Sequence, residues 1–218
     1  MLLAFGIVAA LHERNASGKG QVIDAAMTDG SALLMNAVFG LMNRSAWTAD
    51  RGTNLLDGGA HFYNTYETAD GKWISIGSIE PQFYALLLEK TGFGEAEELP
   101  EQMSRTDWPE LKDKLTDLFR KKTRDEWDEI MLGTDICYAP VLNFEEARAN
   151  AHNVERGTFV ERDGIHQAAP APRFSRSQTS LPSACAAAGQ NSAQILRDSG
   201  FSDDEIDALM TSGAVVQA

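Results

Sequence analysis

Glu80 is the residue of this sequence whose position best suits a chemical role. It lies where a predicted strand, Lys72–Ser78, stops, and Pro81 follows it at a position typical of the first turn of a helix. A carboxylate at such a junction is held by two rigid elements, which suits a catalytic group. The alternative is a helix N-cap, because acids are favoured at the positive end of a helix dipole. From the junction alone, the N-cap is the preferred interpretation.

A glycine-rich segment that starts at Asp57 contains the other candidates. His61 lies close to Asp57 and Tyr63, and the three could form a proton-transfer group in one loop. A polar histidine in a loop is more often solvated, and that interpretation is preferred. The histidines are scattered at His12, His61, His152 and His166. None of them has a partner at metal-ligand spacing, so no metal site is predicted.

Familiar nucleotide and nucleophile signatures are absent from the sequence. There is no Gly-x-Ser-x-Gly elbow, no Walker loop and no Gly-x-Gly-x-x-Gly opening a helix. The residues alone are therefore a weak basis for a function.

Composition narrows the class of protein. The chain has 218 residues, of which 43% are hydrophobic and 23% charged, so it is long enough for a sizeable core. A net charge of -13 argues against nucleic acid or an anionic membrane as the main partner, since both attract a basic face. Cys137 and Cys185 are predicted to be reduced thiols without an assigned role, which favours a cytoplasmic protein.

The elements that must position Glu80 form a hairpin and a helix. Two strands, Phe62–Thr68 and Lys72–Ser78, are joined by Ala69–Gly71, an Asp-Gly turn whose glycine can adopt positive φ. Tyr138–Leu142 is predicted as an edge strand, because a proline inside it cannot donate to a ladder. Capping boxes predict three further helix starts, at Thr123, Asn143 and Ser202. The second of these helices is predicted over Phe144–Ala151, and a small hairpin or extended pair is predicted around Asp163 and Gly164.

The first 43 residues are unusually apolar. Met1–Leu11 has helical spacing but is too short to span a bilayer, so a buried helix is expected. A short strand, Gln21–Asp24, and one long helix, Ala25–Asn43, are predicted to follow. The long helix is apolar on more than one face, which predicts burial between domains or in an oligomer interface. A chain that opens on a core helix without a cap is expected to begin inside a larger domain.

Several long segments resemble the α-methylacyl-CoA racemases of the family III CoA-transferase superfamily. The segments that carry the resemblance are Gly18–Met27, Arg51–Ala60, Thr68–Gly71, Ile79–Tyr84, Asp107–Glu110, Gly133–Asp135, Pro140–Glu146, Glu155–Phe159 and Pro170–Phe174. They follow the same order as in the family and extend over nearly the whole chain.

The resemblance implies an α/β protein with the family III fold. In that fold a Rossmann-like large domain binds CoA, a smaller α+β domain accompanies it, and two subunits interlock as a homodimer. The implied segments are a remnant of the large domain (1–25), a linker helix and loop (26–60), the small domain (61–150), a second linker (151–172) and a C-terminal segment that returns to the large domain (173–218).

The resemblance also implies a reaction, racemisation of 2-methylacyl-CoA thioesters in fatty acid metabolism. The family exchanges the proton beside the thioester carbonyl with a histidine and an aspartate, without a cofactor or metal; CoA enters only as part of the substrate. Glu80 matches a third catalytic acid that pairs with the histidine. The implied substrate-binding residues are Asp57, Gly58, Tyr63, Gly77 and Ile79.

This sequence departs from the family pattern in two ways. The family's histidine and aspartate lie upstream of the segment that matches Met1, so the chain resembles the C-terminal part of the family and is expected to be inactive alone. His61 stands where a racemase is expected to have proline. The alternatives are a family III CoA transferase, which also needs an upstream aspartate, and a non-catalytic fragment or interaction module.

Overall fold

The computed structural model describes residues 1–95, 98–162, 164–181 and 185–218, a mixture of helices and antiparallel strands. The chain divides into two compact units, Met1–Val141 and Leu142–Ala218. Among the described residues, no helix is both long and apolar enough to cross a membrane. The five segments implied by the resemblance stay a prediction.

The first unit begins with three helices: α1 (Leu2–Ser17), α2 (Met27–Leu34) and α3 (Asn36–Asn43). Gly18 ends α1 in the left-handed conformation. The expectation that α1 is buried is wrong for this chain, because none of its residues is buried and Phe5 is 74% exposed. Most of its large apolar side chains, among them Val8, are exposed.

Two further predictions for this region are wrong. Gln21–Asp24 forms no strand, because a strand needs a hydrogen-bonded neighbour and no described strand pairs with these residues. The predicted helix Ala25–Asn43 is two helices that meet at Met35. Gly30 and Gly40, which lie inside this stretch, lower its helix propensity. Gly30 also has a packing role, because a Cβ there would lie 2.8 Å from the Leu2 side chain.

The sheet of the first unit has the order β1 (Tyr63–Glu67), β2 (Trp73–Gly77) and β3 (Tyr138–Val141), all antiparallel. The predicted hairpin is confirmed, with Tyr63 opposite Gly77, and Gly71 has the positive φ of 71° that its turn requires. The prediction of an edge strand is also confirmed. Pro140 lies in β3 opposite Ile74, and β3 has a neighbour on one side only.

Three helices cover this sheet: α4 (Pro81–Thr91), α5 (Trp108–Phe119) and α6 (Arg124–Met131). Helix α5 packs on β1, α6 on β3 and α4 on α6. The capping box at Thr123 is confirmed, since its side chain accepts from the Glu126 amide. The largest fully buried apolar side chains of this core are Trp127, Phe62, Phe119, Ile74, Leu87, Leu111, Leu115, Met131 and Ile136.

The second unit contains α7 (Phe144–Ala149), α8 (Ala151–Arg156), β4 (Phe159–Arg162), β5 (Ile165–Ala168), α9 (Ser192–Asp198) and α10 (Asp203–Thr211). Its capping boxes at Asn143 and Ser202 are confirmed. The predicted helix Phe144–Ala151 is wrong at its end, because Asn150 leaves the helix and its side chain caps α8 instead. Strands β4 and β5 pair as the predicted hairpin, whose Asp163 lies outside the described residues.

Candidate active site

The candidate site lies where β2 ends and α4 begins. Glu80 occupies the N-cap position of α4, and its main-chain carbonyl accepts from the amides of Phe83 and Tyr84 at 3.0 Å. Its side chain, however, makes no capping hydrogen bond. The helix therefore starts on the backbone of Glu80 and on Pro81, and the exposed carboxylate is not occupied by capping.

A cavity of about 520 Å³ adjoins this junction on the sheet. It is lined by Leu56, Asp57, Gly58, Tyr63, Asn64, Thr65, Ser75, Ile76, Gly77 and Cys137. Four of the five predicted substrate-binding residues, Asp57, Gly58, Tyr63 and Gly77, are thus brought together. The fifth, Ile79, is partly buried and packs against the core, and neither it nor Glu80 is a lining residue.

The Asp57 carboxylate holds its own loop together. One oxygen accepts from the Asn54 amide at 2.8 Å, and the other accepts from Asn54 Nδ2 at 2.7 Å and from the Gly52 amide at 3.2 Å. Burial raises the pKa of Asp57, but the hydrogen bonds donated within the loop outweigh it and hold the pKa below its ordinary value. Asp57 is therefore a fixed anion at the edge of the cavity.

Two glycines give this loop its shape. A Cβ at Gly59 would lie 2.5 Å from the carbonyl carbon of Thr53 and 2.6 Å from the Asn54 backbone, so only glycine fits there. Gly58 has a positive φ of 92°, and its carbonyl accepts from Lys112 Nζ at 2.9 Å and from Asn64 Nδ2 at 3.2 Å. The lysine thus fixes from α5 a carbonyl that borders the cavity.

His61 is not the solvated loop residue that the sequence favours. It is fully buried, with Nε2 2.9 Å from the Tyr84 hydroxyl and its ring 5.0 Å from the Phe62 ring, centroid to centroid. Burial lowers its pKa to about 4, so the ring is neutral at physiological pH. Neither ring nitrogen bonds Asp57, and the proton-transfer group considered from the sequence is not formed.

Several lining residues were not anticipated from the sequence. Thr65 and Ser75 are cross-strand partners on the face opposite Tyr66 and Ile74, whose side chains enter the core. The two-residue alternation of the strands is the signal that could have found them. Cys137, which was given no role, has a positive φ of 61° and accepts the Gly77 amide at its carbonyl.

The Cys137 thiol lies within electrostatic reach of the candidate acid. It is free, in keeping with the predicted reduced thiol, and it is exposed. Burial raises the pKa of this thiol, and the carboxylates of Glu80 and Asp135 raise it further. The negative charges at this edge of the cavity therefore disfavour a thiolate, and Cys137 lacks the electropositive surroundings of a nucleophilic cysteine.

Comparisons with known proteins agree on one family. Residues 1–192 match the family described as CoA-transferase family III. The chain is 48% identical to "Alpha-methylacyl-CoA racemase" of Mus musculus over 209 residues and 45% identical to the Homo sapiens protein of that name over 216 residues. Each match includes 94% of this chain and 54% of the relative, so the chain spans about half the length of these relatives.

A solved structure shows the same fold at lower identity. A CAIB/BAIF family protein from Brucella suis superposes with a TM-score of 0.68 at 20% identity, over 89% of this chain and 52% of that one. The fold is therefore shared with a known protein.

Proposed function

The chain belongs to CoA-transferase family III, and on that premise we propose that it serves the racemisation of 2-methylacyl-CoA thioesters by exchange of the α-proton. The observation that carries the proposal is the identity of 48% and 45% with two relatives that are both named as racemases. The geometry at Glu80 supports it, because the carboxylate is not used in capping and the strand that leads to it ends at Gly77, which lines the cavity.

The proposed chemistry is a pair of proton transfers. The thioester carbonyl makes the adjacent carbon acidic, so a base can remove its proton and an acid on the other face can return one. One transfer is performed by the imidazole of the family's upstream histidine. Glu80 accepts a hydrogen bond from that imidazole and keeps the ring in a single tautomer. No electrons are gained or lost, so the reaction needs no cofactor beyond the CoA of the substrate.

We assign substrate contact to the residues that meet at the cavity. Asp57, Gly58, Tyr63 and Gly77 line it, and Tyr63 and Gly77 are opposite each other in the hairpin. The fixed anion of Asp57 and the aromatic edge of Tyr63 give this cavity both a polar and an apolar side. Ile79 supports the junction from the core side and stays a proposed contact of the acyl group.

A homodimer in the cytoplasm is the proposed setting, with a role in fatty acid metabolism. The apolar side chains exposed along 1–43, among them Phe5, Leu34 and Phe39, form a surface that a partner subunit would cover. Both free cysteines are exposed, which fits a reducing compartment. The racemase names of the relatives connect the chain with 2-methylacyl-CoA as the substrate.

Heavy water separates racemisation from CoA transfer. A hybrid in which this chain replaces the matching 54% of the mouse relative is incubated with a 2-methylacyl-CoA and a free carboxylic acid in deuterium oxide. Racemisation predicts deuterium at the α-carbon and no CoA on the free acid. CoA transfer without deuterium would instead identify a transferase.

The 218-residue chain is assayed alongside the hybrid. No exchange is expected from it, because the family's histidine and aspartate are not among its residues. Exchange by this chain alone would refute that expectation, and inactivity of the hybrid would favour a non-catalytic interaction module.

A further inference from the structure

The backbone that presents Glu80 is held by a side chain from outside the hairpin and helix. Gln102 Nε2 donates to the Ser78 carbonyl at 2.9 Å and to the Ile79 carbonyl at 3.0 Å. These are the two residues directly before Glu80. Since Ser78 is fully buried, its carbonyl depends on a donor from within the protein.

Gln102 is itself held in place. Its main-chain carbonyl accepts a hydrogen bond from Trp108 Nε1 at 2.8 Å. Trp108 is only 4% exposed, and its ring packs against the Phe62 ring with 5.9 Å between the centroids. Gln102 therefore connects the core to the junction. Its main-chain carbonyl is bonded to Trp108 in the core, and its side-chain amide is bonded to the two carbonyls before Glu80.

The opposite side of the junction is tied to the segment before β3. The Ser78 hydroxyl donates to the Ile136 carbonyl at 2.5 Å, and the Gly77 amide donates to the Cys137 carbonyl at 3.0 Å. These two bonds place Cys137 beside the junction. The thiol consequently senses the charge of Glu80, so it can report the position of that carboxylate.

We propose that Gln102 is a positioning residue, which fixes Glu80 through the carbonyls of Ser78 and Ile79. The inference rests on the proposed function, because it concerns the acid of that site. The Glu80 side chain makes no capping hydrogen bond to α4, so its direction depends on the backbone before that helix.

The test follows alkylation of Cys137 by iodoacetamide against pH, in a chain with Cys185→Ser so that one thiol remains. Besides Glu80, the carboxylate of Asp135 faces this thiol, and Asp57 lines the same cavity. Glu80→Gln is expected to lower the pH midpoint of alkylation by about 0.5 unit, which is about threefold faster reaction near pH 8. Gln102→Met, of similar size but without a donor, is expected to move the midpoint in the same direction.

The double variant distinguishes positioning from general loosening. If Gln102 acts through Glu80, then Gln102→Met causes no further shift in a chain that already has Glu80→Gln. A full second shift would overturn the proposal, as would an unshifted midpoint in either single variant. Should Gln102→Met fail to fold, as judged by tryptophan fluorescence, Gln102→Asn decides, because its amide is too short to reach both carbonyls.

This measurement is independent of catalysis. A thiol profile that shifts as expected, together with α-proton exchange that Glu80→Gln leaves unchanged in the hybrid, would keep the role of Gln102 and remove the catalytic role of Glu80. If the thiol profile is unshifted and Glu80→Gln lowers α-proton exchange in the hybrid, Glu80 keeps its catalytic role and Gln102 loses its positioning role.

Discussion

Acid should destabilise the first unit through His61. The ring is fully buried, Nε2 meets the Tyr84 hydroxyl at 2.9 Å, and Nδ1 has no hydrogen-bond partner among the described residues. Burial lowers the pKa of His61 from 6.5 to about 4. The unfolded chain therefore takes up a proton near pH 6.5, whereas the folded chain resists it until about pH 4.

The size of the effect follows from these two values. Between them the unfolded state binds more protons, so the free energy of unfolding falls as the pH falls and is unaffected by His61 above about pH 6.5. The difference of about 2.5 units between the two pKa values corresponds to about 3 kcal/mol at full protonation, and to about 2–3 kcal/mol at pH 4.5. Carboxylates with lowered pKa, such as Asp57 and Asp70, lose their contribution mainly at lower pH.

Urea unfolding at about pH 7 and about pH 4.5 measures this loss. Trp108 and Trp127 are buried in the same core and report unfolding by fluorescence. The chain should lose about 2–3 kcal/mol more between the two pH values than the His61→Phe variant, in which residue 61 cannot titrate. His166→Gln, at an exposed histidine, should behave like the unchanged chain. Equal losses with and without His61 would refute the argument from burial.

Two further predictions concern the loop beside the cavity. Gly59→Ala should lower the free energy of unfolding in urea by about 1–3 kcal/mol, because the new Cβ meets the backbone of Thr53 and Asn54. The control Gly20→Ala places its Cβ in open space and should lower it little. Equal losses for the two variants would contradict the close approach at Gly59. Asp57→Asn should cost about 1 kcal/mol and speed hydrogen exchange at the amides that its oxygens accept from, measured by NMR, and unchanged exchange there would show that the carboxylate does not hold the loop.

Short-range chemistry made much of the fold predictable. The hairpin follows from a glycine that supplies positive φ, the edge strand from Pro140, and the helix starts from pairs such as Thr123 and Glu126 that satisfy each other's backbone amides. Each of these signals involves neighbours in sequence. Structures predicted from these local signals therefore do not depend on contacts with distant parts of the chain.

Several of the predictions that failed depended on distant partners. Gln21–Asp24 has the composition of a buried strand, but without a neighbouring strand it forms none. The apolar spacing of Met1–Leu11 indicates a helix, but it does not indicate which part of the protein packs against that helix. His61 was expected in solvent because a polar histidine in a loop is more often solvated, but it is buried against Phe62 and Tyr84.

The candidate site was predictable at its junction and less so around it. Glu80 was located from a strand end and a following proline. That its side chain does not cap α4 is a property of the three-dimensional geometry, which the sequence does not contain. The same holds for Gln102 and Cys137, which reach the junction from segments more than 20 residues away in sequence. No local pattern contains such contacts.

The most direct test of the central claim is α-proton exchange by the hybrid with Glu80→Gln, in deuterium oxide. Glu89→Gln is the matched control, since Glu89 is an exposed acid on the same helix that pairs with Lys90 at 3.1 Å. We expect Glu80→Gln to lower the exchange rate by about 100-fold or more with substrate binding nearly unchanged, and Glu89→Gln to leave it intact. Equal exchange rates for the two variants would contradict the assignment of Glu80 as the catalytic acid of this chain.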